Sequence, residues 1–152
     1  MADLSIEAIR GVAEVEPGSD VAEAIGDAIA EGESTLLDGD VVVVTHKIVS
    51  KAEGRIVDLD DDGPDSHRHL IDEEAVSIVR RRGDLVIAET KHGFICANAG
   101  IDRSNAGPAK AILLPVDPDR SANRIRLRLI ERFGADIAVI ITDTFGRAWR
   151  RG

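Results

Sequence analysis

The chain has 152 residues, of which 43% are hydrophobic and 31% charged, the composition of a folded globular domain. Its 28 acidic residues outnumber 19 basic ones, a net charge of −9, which excludes a general nucleic-acid binder, because neutralising phosphate takes clustered Lys and Arg. The aromatics Phe94, Phe133, Phe145 and Trp149 make no base-stacking platform.

No apolar run approaches the ~20 residues of a membrane helix, and Met1-Ala2-Asp3-Leu4 opens no basic-then-apolar leader. We expect a cytoplasmic protein with no membrane or nucleic-acid partner. A single cysteine, Cys96, excludes an internal disulfide and a cysteine-rich zinc site. Its apolar neighbours Phe94, Ile95 and Ala97 predict a small core residue rather than a nucleophile.

Residues 1–152 read as one unit. Between Ser19 and Gly32 the apolar residues Val21, Ala24, Ile25, Ala28 and Ile29 fall on one helical face, with Ser19 or Asp20 as cap and Gly32 as stop. After the turn signal Asp38-Gly39-Asp40, Val41 to Val44 predicts a strand buried on both faces. Asp58 to Ser66 is polar and predicts a loop. Leu70 to Arg82 predicts a helix, since Glu73 and Glu74 near its start and Arg80, Arg81 and Arg82 at its end suit the helix dipole, and Gly83 can stop it.

Leu85 to Ala88 and Gly93 to Ala97 predict a hairpin turning at Lys91-His92-Gly93. Ala111 to Leu114 predicts a strand closed by Pro115. A helix starting at Asp119 or Ser121 runs to about Arg132 and is ended by Gly134, and Asp136 to Ile141 predicts the last strand. Hairpin signals mixed with strand–helix–strand units indicate α+β, a mixed α/β domain rather than a regular doubly wound sheet. The polar, basic tail 142–152 follows a strand with no closing element, so we expect the natural protein to continue, the domain being incomplete at its C-terminus.

Three segments place polar residues at the end of an apolar strand, where α/β proteins commonly hold ligands. In Thr45-His46-Lys47-Ile48-Val49-Ser50-Lys51, Lys47 and Lys51 lie four apart and would share a helix face. Two ammonium groups on one face repel unless an anion lies between them. A phosphate would serve, and a solvated helix start accounts for the pair equally well; no P-loop pattern is present. In Ala99-Gly100-Ile101-Asp102-Arg103-Ser104-Asn105, Asp102 offers a hard oxygen ligand, and an Asx turn is the simpler reading. In Ile141-Thr142-Asp143-Thr144, an aspartate beside hydroxyls suits Mg²⁺ or Mn²⁺ held with phosphate, or a helix cap. His67 and His69 would share a face on a strand, but no third ligand is near, which favours exposed histidines.

Taken together, four motifs in order resemble the coenzyme F420:L-glutamate ligase family, F420 being a deazaflavin cofactor. They are Asp38 to Arg55, Ala99 to Asn105, Leu113 to Asp119 and Thr142 to Arg150, and the resemblance runs from about Gly11 to Gly152. It implies a GTP-dependent ligase that adds L-glutamate to the F420 precursor, F420-0, and extends a poly-γ-glutamate tail through an acyl phosphate. It further implies Mg²⁺ or Mn²⁺, with K⁺, as ions and a homodimer as assembly. In some bacteria the same domain is fused to a nitroreductase-like flavin domain.

Position by position, the resemblance implies Asp102, Asp143 and Thr144 as metal ligands, and Val12, Ala13, Glu14, Val15, His46, Lys51 and Asn105 as GTP contacts. It assigns no catalytic side chain. Two departures stand out: Val12 and Ala13 replace a Leu-Pro pair, and His46 replaces a serine in the family's Thr-Ser-Lys. They motivate two alternatives, a non-catalytic module binding nucleotide or F420 precursor, and a ligase with another carboxylate acceptor.

Overall fold

The computed structural model describes residues 4–32 and 34–143. The expected ligand Thr144 and the tail after it lie outside the described residues. Among the described residues seven strands form three small sheets, accompanied by four α-helices.

The first sheet pairs β1 (Val41–Thr45) in parallel with β7 (Ala138–Thr142), in a register that sets Val44 beside Ile141 and Thr45 beside Thr142. Helices α1 (Val21–Glu31) and α4 (Pro118–Phe133) cover it. Val42 and Val44 pack with Val21, Ile25 and Ile29 of α1 and with Ile125 and Leu129 of α4. Each fully buried Ile or Leu here contributes about 1.5–3 kcal/mol.

Helix α1 obeys its start signal and α4 its stop signal. The Asp20 carboxylate accepts from the Glu23 amide at 3.1 Å. Gly134 closes α4 with φ of 73°, a left-handed conformation that glycine adopts freely. The α4 cap differs from both expected positions. It is Asp117, whose carboxylate accepts from Arg120 N at 2.9 Å, and Pro118 takes the first helical position, where its missing N–H costs nothing.

The valine run is not buried on both faces. Among the described residues Val41 and Val43 are 51% and 61% exposed, because the helices cover only the Val42–Val44 face.

The second sheet pairs β2 (Ile56–Asp58) with β6 (Lys110–Ile112) antiparallel, and the third is the meander β3 (Ala75–Arg82), β4 (Leu85–Thr90), β5 (Ile95–Ala97). The helix expected over Leu70 to Arg82 is therefore two elements. Helix α3 (Arg68–Glu74) ends where Ala75 turns extended, and β3 follows. The β-branched Val76, Ile78 and Val79 favour a strand, and Gly83-Asp84 joins Arg82 to Leu85 as a two-residue hairpin with Gly83 at φ of 57°. The three arginines thus lie on an exposed strand end, not at a helix C-terminus.

Helix α3 joins the two smaller cores. Leu70 packs with Leu59, Ala111 and Leu113, while Ile71 packs with Val86, Ala88 and Ala99. Cys96 is buried, as expected for a small core residue. No helix among the described residues is long and apolar enough to cross a membrane.

Candidate functional site

The parallel pairing of β1 with β7 builds the site. Thr45 faces Thr142 in register, so the next residues, His46 and Asp143, emerge side by side at the carboxyl ends of both strands. This is the position at which parallel α/β sheets hold ligands. His46 Nε2 lies 3.3 Å from Asp143 Oδ1. His46 begins α2 (His46–Ala52) and is 2% exposed, with Nδ1 3.4 Å from the buried Ser50 Oγ one turn on.

Asp102 reaches the same helix from a different direction. Its backbone makes two hydrogen bonds with Ile112, Asp102 N to Ile112 O at 2.9 Å and Ile112 N to Asp102 O at 2.7 Å, which fasten it to the edge of the second sheet. The approach to Asp102 is a tight left-handed bend, with Asn98, Ala99 and Gly100 at φ of 50°, 52° and 76°. A side chain at Gly100 would place its Cβ 2.7 Å from Leu114 Cδ1, so only glycine fits.

Asp102 Oδ1 accepts from Ser104 N at 2.6 Å, the Asx turn read from the sequence. Its Oδ2 pairs with Lys47 Nζ at 2.8 Å, and the same ammonium donates to Ser104 Oγ at 2.6 Å. Burial works against the Asp102 charge. The hydrogen bonds from Lys47 and Ser104, with the Lys47 charge, outweigh it and hold the carboxyl below the usual range.

Lys47 and Lys51 do share the α2 helix, as the spacing predicts. The anions beside them, however, are the protein's own carboxylates. Lys47 pairs with Asp102, and Lys51 Nζ pairs with Glu14 Oε1 at 2.6 Å. The Lys51–Glu14 pair ties α2 to the N-terminal segment and so brings two of the expected nucleotide contacts together. In that segment Val12 is half-buried, Ala13 and Glu14 are exposed and Val15 is buried. Asn105 is exposed in a left-handed conformation, φ of 59°, one residue beyond Ser104.

A cleft of about 460 Å³ opens beside His46 and Asp143, walled by Phe94, Cys96, Leu114, Pro115 and Ile140. His92, from the hairpin turn, closes against it with Nε2 2.8 Å from the Pro115 carbonyl, and its ring stacks with Phe94 at 6.4 Å between centroids. Burial, followed by the nearby Asp143 charge, pushes the Cys96 thiol up, so it stays protonated and unreactive at neutral pH.

The carboxylates of Asp102 and Asp143 are tied to consecutive residues of α2, Lys47 and His46. Among the described residues no group of three or more His, Cys, Asp or Glu side chains gathers as a metal cage. Each carboxylate has the chemistry that suits Mg²⁺ or Mn²⁺, ions that commonly take one or two protein carboxylates and complete their shell with phosphate oxygens and water. His67 and His69 stand on no strand; His67 caps α3 and His69 lies within it. Sequence reasoning passed over Lys47 as a partner of Asp102, although its place directly after the strand end was the available signal. The cleft wall from the hairpin carried no local signal at all.

Residues 11–152 match the family model described as F420-0:Gamma-glutamyl ligase. The chain is 43% identical over 163 residues to a protein of Methanopyrus kandleri named coenzyme F420:L-glutamate ligase, a match covering 98% of this chain and 63% of that protein. A protein of the same name from Methanothermobacter thermautotrophicus is 42% identical, with 98% and 65% covered. One from Archaeoglobus fulgidus is 37% identical, with 95% and 61% covered. The chain thus spans about three fifths of the length of these curated relatives.

Proposed function

The chain belongs to the F420-0:gamma-glutamyl ligase family, and from that premise we propose that the protein joins L-glutamate to the F420 precursor by a GTP-dependent, two-step amide ligation. A carboxylate is a poor acylating agent. In the first step an acceptor carboxylate oxygen attacks the γ-phosphorus of GTP, forming an acyl phosphate and releasing GDP. In the second the glutamate amine attacks the acyl carbon, inorganic phosphate leaves and the amine loses a proton. Repetition on the new γ-carboxylate extends the tail.

The observation that carries this reading is the pair of carboxylates, Asp102 and Asp143, tied to consecutive residues of an α2 helix that also bears Lys51. Asp102 and Asp143, with Thr144, would hold Mg²⁺ or Mn²⁺, which when bound offsets the charge moving between phosphates. Lys47 and Lys51 exchange their carboxylate partners for phosphate oxygens as nucleotide enters. Asn105, exposed at the left-handed bend, reaches the nucleotide with its amide, and the Val12–Val15 segment lies against it on the Lys51 side. The apolar cleft beside His46 receives the acceptor and keeps water from the acyl phosphate. K⁺ as a second ion and a homodimeric assembly belong to the same reading.

The test is a mass-spectrometric assay on the protein made from its full natural reading frame, with F420 precursor, L-glutamate, GTP and Mn²⁺. A GTP-dependent product one glutamyl unit heavier is expected. In Asp143→Ala the product and the metal-dependent GTP binding are both lost while the circular dichroism spectrum is kept. Unchanged GTP affinity in that variant removes Asp143 from the site.

A further inference from the structure

We infer that His46 is itself a metal ligand beside Asp143, adding an imidazole nitrogen to that carboxylate and turning the site's preference from Mg²⁺ toward Mn²⁺. The inference rests on the metal-site reading of Asp143 above and deepens it.

Three observations carry it. First, His46 is 2% exposed, yet its Nε2 has no hydrogen-bond partner. A buried polar atom left without a partner costs free energy and calls for an explanation. Second, that atom lies at the strand ends, where His46 and Asp143 both line the cleft, 3.3 Å from Asp143 Oδ1 and without the geometry of a hydrogen bond. Two donor atoms bound to one cation at about 2.1 Å stand about 3.0 Å apart at a right angle and about 3.4 Å apart at the tetrahedral angle. The observed separation lies between these values. In such an arrangement the nitrogen lone pair points to the cation and not along the line to the oxygen, so a misaligned Nε2···Oδ1 contact is what a shared cation requires.

Third, the other ring nitrogen is anchored. With its hydrogen on Nδ1, the ring faces the buried Ser50 Oγ at 3.4 Å, which leaves the lone pair on Nε2. A ligating histidine characteristically donates its second N–H in this way, which fixes both tautomer and ring orientation.

The chemistry of the donor set gives the consequence. Carboxylates and phosphate oxygens suit Mg²⁺, whereas imidazole suits transition metals. A mixed nitrogen and oxygen set therefore favours Mn²⁺ over Mg²⁺. A serine at position 46 would offer only oxygen.

The experiment is pulsed electron paramagnetic resonance of the intact protein loaded with Mn²⁺ alone, read for nitrogen modulation, with Mn²⁺ and Mg²⁺ affinities by calorimetry. Wild type is expected to show imidazole nitrogen modulation. His46→Gln, which keeps polarity and bulk, is expected to lose the modulation and at least about tenfold in Mn²⁺ affinity, with a smaller change for Mg²⁺. Mn²⁺ bound without nitrogen modulation in wild type overturns the inference, whatever the variant's fold. Modulation that persists in a folded His46→Gln overturns it too. Mn²⁺ affinity unaffected by Asp143→Asn overturns the underlying site reading instead, and so separates the two failures.

Discussion

Gly100 is where the fold and the site press hardest on one position, and Gly100→Ala measures both. The residue sits at φ of 76°, and a Cβ there would stand 2.7, 2.8 and 3.0 Å from Leu114 Cδ1, Cγ and Cδ2. The left-handed backbone alone costs an alanine about 1–2 kcal/mol. Leu114 must shift from packed surroundings toward the cleft that it walls, so the crowding adds about 1–3 kcal/mol. Lost freedom of the unfolded chain returns about 0.4–1 kcal/mol. The net expectation is a loss of about 1–5 kcal/mol, read by urea unfolding with linear extrapolation. In a Leu114→Ala background the crowding part vanishes and the backbone part less the unfolded-chain return, about 0–1.6 kcal/mol, remains. Because Gly100 leads the chain into Asp102, Mn²⁺ affinity should fall in the single variant and partly recover in the double one. A cost under about 0.5 kcal/mol, or an equal cost in both backgrounds, refutes the steric reasoning.

Two further outcomes follow from the charges. Asp102 has its carboxyl held low in the folded state, so its contribution to stability is full above the ordinary carboxylate range and is lost as pH falls through the lowered value. Lys47→Met removes a large part of that depression, so acid unfolding should begin at higher pH than in wild type; identical acid limbs would show that Lys47 does not hold Asp102. Cys96 should react with a thiol reagent far more slowly than a free thiol, because at the cleft wall it is only 6% exposed and its proton is retained, and Cys96→Ala should keep activity. Rapid labelling of the folded protein at neutral pH would contradict this.

Elements with a one-sided apolar stripe or a strong end signal were readable in advance. Val21, Ile25 and Ile29 declare α1, and Gly134 closes α4. The stretch after Glu74 was not readable as a strand, because β3 is exposed along nearly its whole length and has no burial period to show. Its charges fit a helix dipole, and only pairing with β4 decides against the helix. The hairpin pair Gly83-Asp84 was the overlooked clue. At the site, residues delivered by strand ends were readable as candidates, but their partners were not. That His46 meets Asp143 depends on β1 pairing with β7, and that Lys47 meets Asp102 depends on the second sheet's edge. Neither is encoded by local spacing. The lysine pair gave the right need, an anion, and concealed that Glu14 and Asp102 would meet it.

The parallel pairing of β1 and β7 also has a consequence for the nascent chain. Thr45 waits for Thr142, 97 residues later in the register. At bacterial to eukaryotic translation rates of about 5–20 residues per second, that wait lasts about 5–20 s. For most of it, once the exit tunnel is cleared, the uncharged run Val41-Val42-Val43-Val44 stands outside the ribosome without its mate. Such a segment is a template for pairing with other chains. Helix α1 can fold early and shield the Val42–Val44 face, but the open hydrogen-bonding edge stays exposed until β7 is made. Soluble yield should therefore depend on how quickly synthesis reaches residue 142, and slow codons between the two strands should lower it more than the same codons placed elsewhere.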